Sequence, residues 1–249
     1  MSLNALIAKV KAENLTTLDL SDQGVRVLPE SLFECTSLVK LNLDNNEIVE
    51  IPEEISQLVN LESLSIAQNS IMFLPDSLTS LKKLKNLYMG YNYLDSLPED
   101  IGSLTELVKL NLAKNDIISL PDSIGDLKKL EKISVHDNFL SDVPATIGGC
   151  TVLRELLLDG NRFEEIRSEV GELKNLQELM LSGNKIHTLP ESFGELGKLK
   201  ELILDENQID TLPACIAELP NLTTLGLANN PIKNLPKAFV KHPAIKIER

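Results

Sequence analysis

The stretch LNLDNNEIVEIP, Leu41 to Pro52, places its leucines and isoleucines at Leu41, Leu43, Ile48 and Ile51. Two apolar residues alternate and then the spacing widens. Neither a helix nor a long half-buried strand has that pattern. Asn46 stands in the middle, among positions that otherwise read as core, and a buried amide must have hydrogen-bond partners. A single unit of this kind cannot bury its own apolar face, so the stretch needs copies of itself.

The copies are present. The pattern L-x-x-L-x-L-x-x-N-x-I-x-x-L-P begins at Leu15 and returns at Leu38, Leu61, Leu84, Leu107, Leu130, Leu153, Leu176, Leu199 and Leu222. Each step is 23 residues, without insertion or deletion across ten units. The asparagine returns as Asn69, Asn92, Asn115, Asn138, Asn161, Asn184, Asn207 and Asn230, and only the first unit departs from it, with Gln23. A period of this length marks a solenoid built from one repeated supersecondary unit.

In each unit LxxLxL supplies a short strand whose alternate leucines point one way. Identical strands side by side form a parallel sheet, and parallel strands need a crossover back to the starting edge. The rest of the unit provides it. Its proline precedes an acid in Pro29-Glu30, Pro52-Glu53, Pro75-Asp76, Pro98-Glu99, Pro121-Asp122 and Pro190-Glu191, which suits the first turn of a helical segment. One or two helical turns are expected there, on the outer face, with Ile55 and Leu58 turned inward. The recurring asparagine is expected to be structural. Its amide carries two donors and an acceptor, enough to satisfy its own turn and the next one.

The fold class expected is therefore α/β, a curved horseshoe solenoid with a parallel sheet on the concave face and short helices on the convex face. One domain, 1–249, accounts for the chain: a cap helix in 1–14, ten repeats in 15–244 and an end strand in 245–249. The cap follows from Leu3, Leu6, Ile7 and Val10, an amphipathic stripe. At the other end Phe239 and Val240 are expected against the last unit, with Lys237, Lys241, Lys246 and Arg249 keeping that end soluble.

The repeat resembles the leucine-rich-repeat signature over nearly the whole chain. Its units are most similar to the intracellular 23-residue class of the Ras-suppressor, Scribble and plant Ras-group proteins. That resemblance implies a non-enzymatic scaffold or adaptor in intracellular signal transduction. The partner it implies is a protein: a small GTPase, a phosphatase or a cytoskeletal adaptor.

Composition narrows the alternatives. The formal net charge of −13 argues against a nucleic-acid binder, which needs a dominant basic surface. Hydrophobic residues make up 43% with no tryptophan, so the core is mostly Leu, Ile and Val. No apolar run approaches the roughly 18 residues of a membrane span, and the opening residues lack the pattern of a secretion signal. A cytoplasmic, reducing location is the expectation, and the sequons at Asn14 and Asn221 are read as coincidental. An extracellular receptor or inhibitor domain would carry cysteine-rich caps. A self-associating structural array is the other alternative.

Candidate chemistry is sparse. Cys35 and Cys150 occupy a core leucine position of the repeat, five units apart or about 24 Å, beyond disulfide reach. Cys215 lies on an outer turn. His136, His187 and His242 fall at different repeat positions, so no metal or nucleophilic pair is expected, and no phosphate-cradling glycine motif occurs. No cofactor is expected.

Function should lie where the repeat leaves the residue free, on the outward columns of the sheet. Two patches stand out. In the middle are Tyr88, Tyr91, Tyr93, His136 and Phe139, with Met72 and Phe73 on the adjoining edge and Lys109, Lys114 and Lys132 alongside. Aromatics flanked by charge have the composition of interface hot spots. Further along, Leu157, Met180 and Ile203 take the same outward strand position in three successive units. They run between Glu155, Glu178 and Glu201 on one side and Asp159, Asp205 and Glu206 on the other. An aliphatic stripe between acidic ones fits an amphipathic, basic segment.

Overall fold

Leu41 is the middle residue of a three-residue strand, Lys40–Asn42, and its partners across the sheet are Leu18 and Leu64, the equivalent leucines of the units before and after. The computed structural model describes residues 3–241 and 245–248. His242 and Arg249 lie outside the described residues, as do the side chains of Val240 and Lys241.

Every unit repeats this arrangement. The strands are β1 (Thr17–Asp19), β2 (Lys40–Asn42), β3 (Ser63–Ser65), β4 (Asn86–Tyr88), β5 (Lys109–Asn111), β6 (Lys132–Ser134), β7 (Glu155–Leu157), β8 (Glu178–Met180), β9 (Glu201–Ile203), β10 (Thr224–Gly226) and β11 (Lys246–Glu248). They form one open parallel sheet in sequence order, β1 to β11. The middle residue of each strand from β1 to β10 is buried and its neighbours face outward. The leucine just after the strand, such as Leu43 or Leu158, is buried as well. Equivalent side chains therefore stack into one continuous core under the sheet, and the result is a leucine-rich-repeat solenoid with the sheet on its concave face. Stability of such a stack comes from contacts between neighbouring units.

The crossovers are 3₁₀ turns, such as Glu53–Gln57 and Asp122–Asp126, rather than α-helices. The repeat leaves only five residues between Pro52 and the core Leu58. That length closes i→i+3 bonds, Ile55 N–H to Pro52 O and Leu58 N–H to Ile55 O, both at 3.1 Å. Successive outer turns also pack tightly: a Cβ on Gly125 would lie 2.2 Å from the Thr146 carbonyl oxygen of the next turn.

The one α-helix among the described residues, α1 (Leu3–Glu13), buries Ile7 and Val10 against the first unit. Asn14, at φ 49°, ends it in the left-handed region. At the far end Phe239 and Ile245 are buried, and β11 pairs with β10.

The asparagine column forms the expected ladder, but it points backward. Asn69 Oδ1 accepts the Ile48 N–H at 2.9 Å, and its Nδ2 donates to Leu43 O at 2.9 Å and Ala67 O at 3.1 Å. Its partners outside its own turn belong to the preceding unit, not the next one. The same set recurs at Asn92, Asn115, Asn138, Asn161, Asn184 and Asn207, all buried. This direction explains Gln23. The first unit follows the cap helix rather than another repeat, and the Gln23 side-chain amide is exposed and donates to Ser21 O.

Candidate protein-binding face

The three aliphatic side chains of the second patch are in register: Leu157 pairs with Met180 and Met180 with Ile203, at the outward end of β7, β8 and β9. All three are half-buried. Beside them Glu155, Glu178 and Glu201 are likewise paired across the same strands. At a strand spacing of about 4.8 Å, three carboxylates in one row repel one another. Burial, and then the flanking Glu155 and Glu201 charges, push the Glu178 carboxyl above the usual carboxylate range. Glu155 is relieved on one side by an ion pair with Lys132 of β6. Among the described residues Glu178 and Glu201 have no such partner.

The other acidic side of the stripe is not free of fold duty, as the sequence reading assumed. Asp159 Oδ1 accepts the Ser182 N–H at 2.9 Å, and Asp205 Oδ1 accepts the Ala228 N–H at 2.7 Å. Asp44 does the same for Ala67 at 2.6 Å. In the first, second and fifth units this N–H is satisfied from within the unit, as when Asn111 Oδ1 accepts from Ala113 at 3.0 Å. Met180 and Gly226 stand where that cap would be, two residues before Ser182 and Ala228, and the aspartate of the preceding unit serves the N–H instead. Burial pushes the Asp159 carboxyl up, and the Ser182 N–H opposes it. Glu206 is exposed and sits in a left-handed turn at φ 57°.

The middle patch is looser. Tyr88 is half-buried on β4, between Ser65 and Asn111. Tyr91 occupies the left-handed turn before the ladder asparagine, at φ 60°, and the Lys114 ammonium lies 4.8 Å from its ring centre. Tyr93 and Phe139 are exposed two units apart, with Arg162 stacked 4.2 Å from the Phe139 ring centre. Lys109 and Lys132 are register partners on β5 and β6, and His136 Nδ1 lies 3.0 Å from the Asp137 carboxylate. Of the nine aromatics, Phe33, Phe163, Phe193 and Phe239 are buried and the other five line this region.

The sequence reading singled out Met72 and Phe73 on the adjoining edge and missed Val27, Val49 and Ile118, which are exposed in the same two repeat columns. Aligning those columns unit by unit was the signal that would have found them.

Elsewhere the site chemistry stays quiet. Cys35 and Cys150 are buried, and burial pushes the Cys150 thiol up to about 11. Cys215 is half-buried on its outer turn and likewise raised to about 11, first by burial and then by Glu191. Arg167 keeps the backbone of the prolines it replaces, φ −60° and ψ 145° against −63° and 148° at Pro144, and forms a 2.6 Å ion pair with Asp142. Among the described residues no helix is long and apolar enough to cross a membrane.

The leucine rich repeat family matches residues 13–71, 60–117, 105–163, 151–209 and 174–232 of this chain. The chain belongs to the leucine-rich-repeat family. Repeats of this family generally mediate protein–protein interaction. None of the curated proteins matches the chain. Among solved structures it is similar to a leucine-rich-repeat protein of Leptospira interrogans, with 29% identity, 97% of this chain and 80% of that one covered, and a TM-score of 0.62. It is also similar to the plant peptide hormone receptor RGFR1 in complex with RGF2, with 31% identity and a TM-score of 0.85, covering 96% of this chain and 40% of that one. A third is the ectodomain of the Arabidopsis thaliana receptor kinase GASSHO1/SCHENGEN3 in complex with CASPARIAN STRIP INTEGRITY FACTOR 2, at 32% identity and a TM-score of 0.78, covering 89% of this chain and 27% of that one. The chain thus spans less than half the length of these two plant receptors.

Proposed function

We propose that this solenoid is a non-enzymatic scaffold that captures a partner protein on its concave face, through a basic amphipathic segment laid across β7, β8 and β9. The observation that carries it is the in-register row Leu157–Met180–Ile203 beside the row Glu155–Glu178–Glu201. An apolar contact desolvates the segment's aliphatic side chains, and the unpaired carboxylates select its cations and speed its approach. Tyr88 and Tyr91, with Lys109, Lys132 and His136, form a second contact toward the middle of the sheet, and Tyr93 flanks it on the adjoining edge. Asp159 and Asp205 border the stripe while holding the next unit's backbone. The two plant receptors, solved with bound ligands, support a protein or peptide as the occupant.

The repeat's resemblance to Ras-suppressor and Scribble proteins favours a signalling adaptor in the cytoplasm, with a small GTPase, a phosphatase or a cytoskeletal adaptor as partner. Three free thiols fit a reducing compartment.

Reversing Glu155, Glu178 and Glu201 to lysine together is the test. Affinity capture from lysate should lose the wild-type partner while the melting curve stays within a few degrees. Undiminished capture would remove the stripe as the binding site. Tyr88→Ala with Tyr91→Ala examines the middle contact in the same way.

A further inference from the structure

A second surface lies off the sheet, on the edge where each unit runs from its ladder asparagine to its outer turn. Units one to six each place one large apolar side chain there: Val27, Val49, Phe73, Tyr93, Ile118 and Phe139. These are not padding, since Val27 is 69% exposed, Phe73 62% and Ile118 63%. Met72 adds to unit three. From the seventh unit the same columns turn polar: Arg162, Glu164 and Glu165, then Lys185, His187 and Thr188. The polar units serve as an internal control, because they fold on the same backbone without any apolar residue at these positions. The units are also locked in register along this edge, Tyr93 N–H donating to Ile71 O and Phe139 N–H to Ile117 O, both at 2.9 Å. The apolar side chains fall at three repeat positions, that of Tyr93 and Phe139, that of Val49 and Ile118 and that of Val27 and Phe73, and so form a band with one member from each unit.

Charge and spacing say what covers it. Glu47, Glu50, Asp95 and Asp116 alternate with the apolar residues at the same repeat positions, and among the described residues none of them is in an ion pair. Within units one to six Arg26 is the basic residue of these columns. At the start of the band a cleft of about 230 Å³ opens beside Val27 and Phe33, walled by Glu30, Glu50 and Glu54. A second copy of this chain would bring like charge against these acids, so a self-contact is disfavoured. Repeat units recur at about 4.8 Å along the sheet. An α-helix offers one apolar residue per turn of about 5.4 Å, nearly in step, whereas an extended strand repeats a face every 6.7 Å or so and falls out of step within a few units. Five steps, about 24 Å, match a helix of about 16 residues.

We infer that this edge docks a basic amphipathic α-helix of a partner protein, one apolar residue per repeat unit, separately from the concave stripe. The probe is a labelled 18-residue synthetic helix with leucine every three or four residues and lysine elsewhere on its apolar border. A counterpart has glutamate in place of lysine, and both are titrated with the intact chain by fluorescence anisotropy. The lysine helix should bind. Phe73→Ser with Ile118→Ser should weaken it at least tenfold, as should Glu47→Lys with Asp116→Lys, which leaves the apolar band intact. The Glu155, Glu178 and Glu201 reversal should leave it unchanged.

Circular dichroism melting checks that each variant is folded. Both pairs are surface changes, so an unfolded serine pair still leaves the lysine pair to decide. Absence of binding, equal binding of the glutamate helix, or loss only in the concave-face variant overturns the inference. So does a dimer that the serine pair dissolves, since the occupant would then be a second copy. None of these outcomes except loss in the concave-face variant bears on the concave-face proposal.

Discussion

Asn138 accepts the backbone N–H of Ile117 at 3.0 Å, across the boundary between two repeat units, and donates to Leu112 O of the same preceding unit at 3.0 Å. Its side chain is 3% exposed, so no water substitutes when it is removed. Asn138→Leu strands the buried Ile117 N–H, at about 1–3 kcal/mol, while Leu112 O, Val135 O and His136 O keep donors from Asn115, Asn161 and Lys114. The urea midpoint should fall by the equivalent of about 1–3 kcal/mol. Gln23→Ala, at the exposed equivalent in the first unit, should change it by no more than about 0.5 kcal/mol. Equal effects at the two positions would mean that the ladder does not carry the stacking.

The outer turns make a second prediction. A Cβ at Gly125 would meet Thr146 O at 2.2 Å, a backbone atom that cannot swing away, whereas a Cβ at Gly197 meets nothing within 4 Å. Gly125→Ala should destabilise by about 1–3 kcal/mol through forced separation of two turns. Gly197→Ala should be neutral or slightly stabilising, because alanine has fewer unfolded conformations to lose. Thermal melts of the two variants side by side decide it.

These contrasts show which parts of the molecule the sequence makes legible. The period of leucines is visible because a core built by stacking must repeat its side chains, so Leu41 predicts Leu18 and Leu64. Local bonding geometry is less visible. Proline followed by an acid signals a helical start, but the five residues available decide between α and 3₁₀. The direction of the asparagine ladder depends on which neighbour has unpaired backbone, which only stacked units reveal. Asp159 and Asp205 look like free surface acids in sequence. Their second role follows from Met180 and Gly226, in the units that come after, taking the position where Asn42 or Asn111 caps its own unit. Val27, Val49 and Ile118 escape a reading that treats the loop columns as filler.

Arg167 interrupts the proline column, and its backbone already sits where a proline would, at φ −60°. The break therefore relieves no strain. Its ion pair with Asp142 joins two side chains that are each nearly half exposed, a class contributing about 0–1 kcal/mol. Arg167→Pro removes that pair but lowers unfolded-chain entropy by about 0.4–1 kcal/mol. The two effects nearly cancel, so the melting temperature should move by only a degree or two. A large loss would show that Arg167 has a structural role beyond Asp142.

Glu178 lies between two other carboxylates, and its own carboxyl is raised by burial and by Glu155 and Glu201. A raised carboxyl pKa means that the folded chain holds the proton more tightly than the unfolded one. The destabilisation is therefore absent below the unfolded pKa and complete once pH rises above the folded value. Glu178→Gln should raise the melting temperature at pH 7 and have no such effect at pH values below the ordinary glutamate range of about 4.3. Binding runs the other way. A basic segment needs Glu178 charged, so affinity for a lysine-rich concave-face ligand should begin to fall, as pH is lowered, before an ordinary glutamate would protonate. Glu178→Gln should bind more weakly at pH 7 and lose that early part of the pH dependence. A variant that gains stability at pH 7 yet binds with the wild-type pH profile would separate the strained carboxylate from recognition and leave Leu157, Met180 and Ile203 to carry the contact alone.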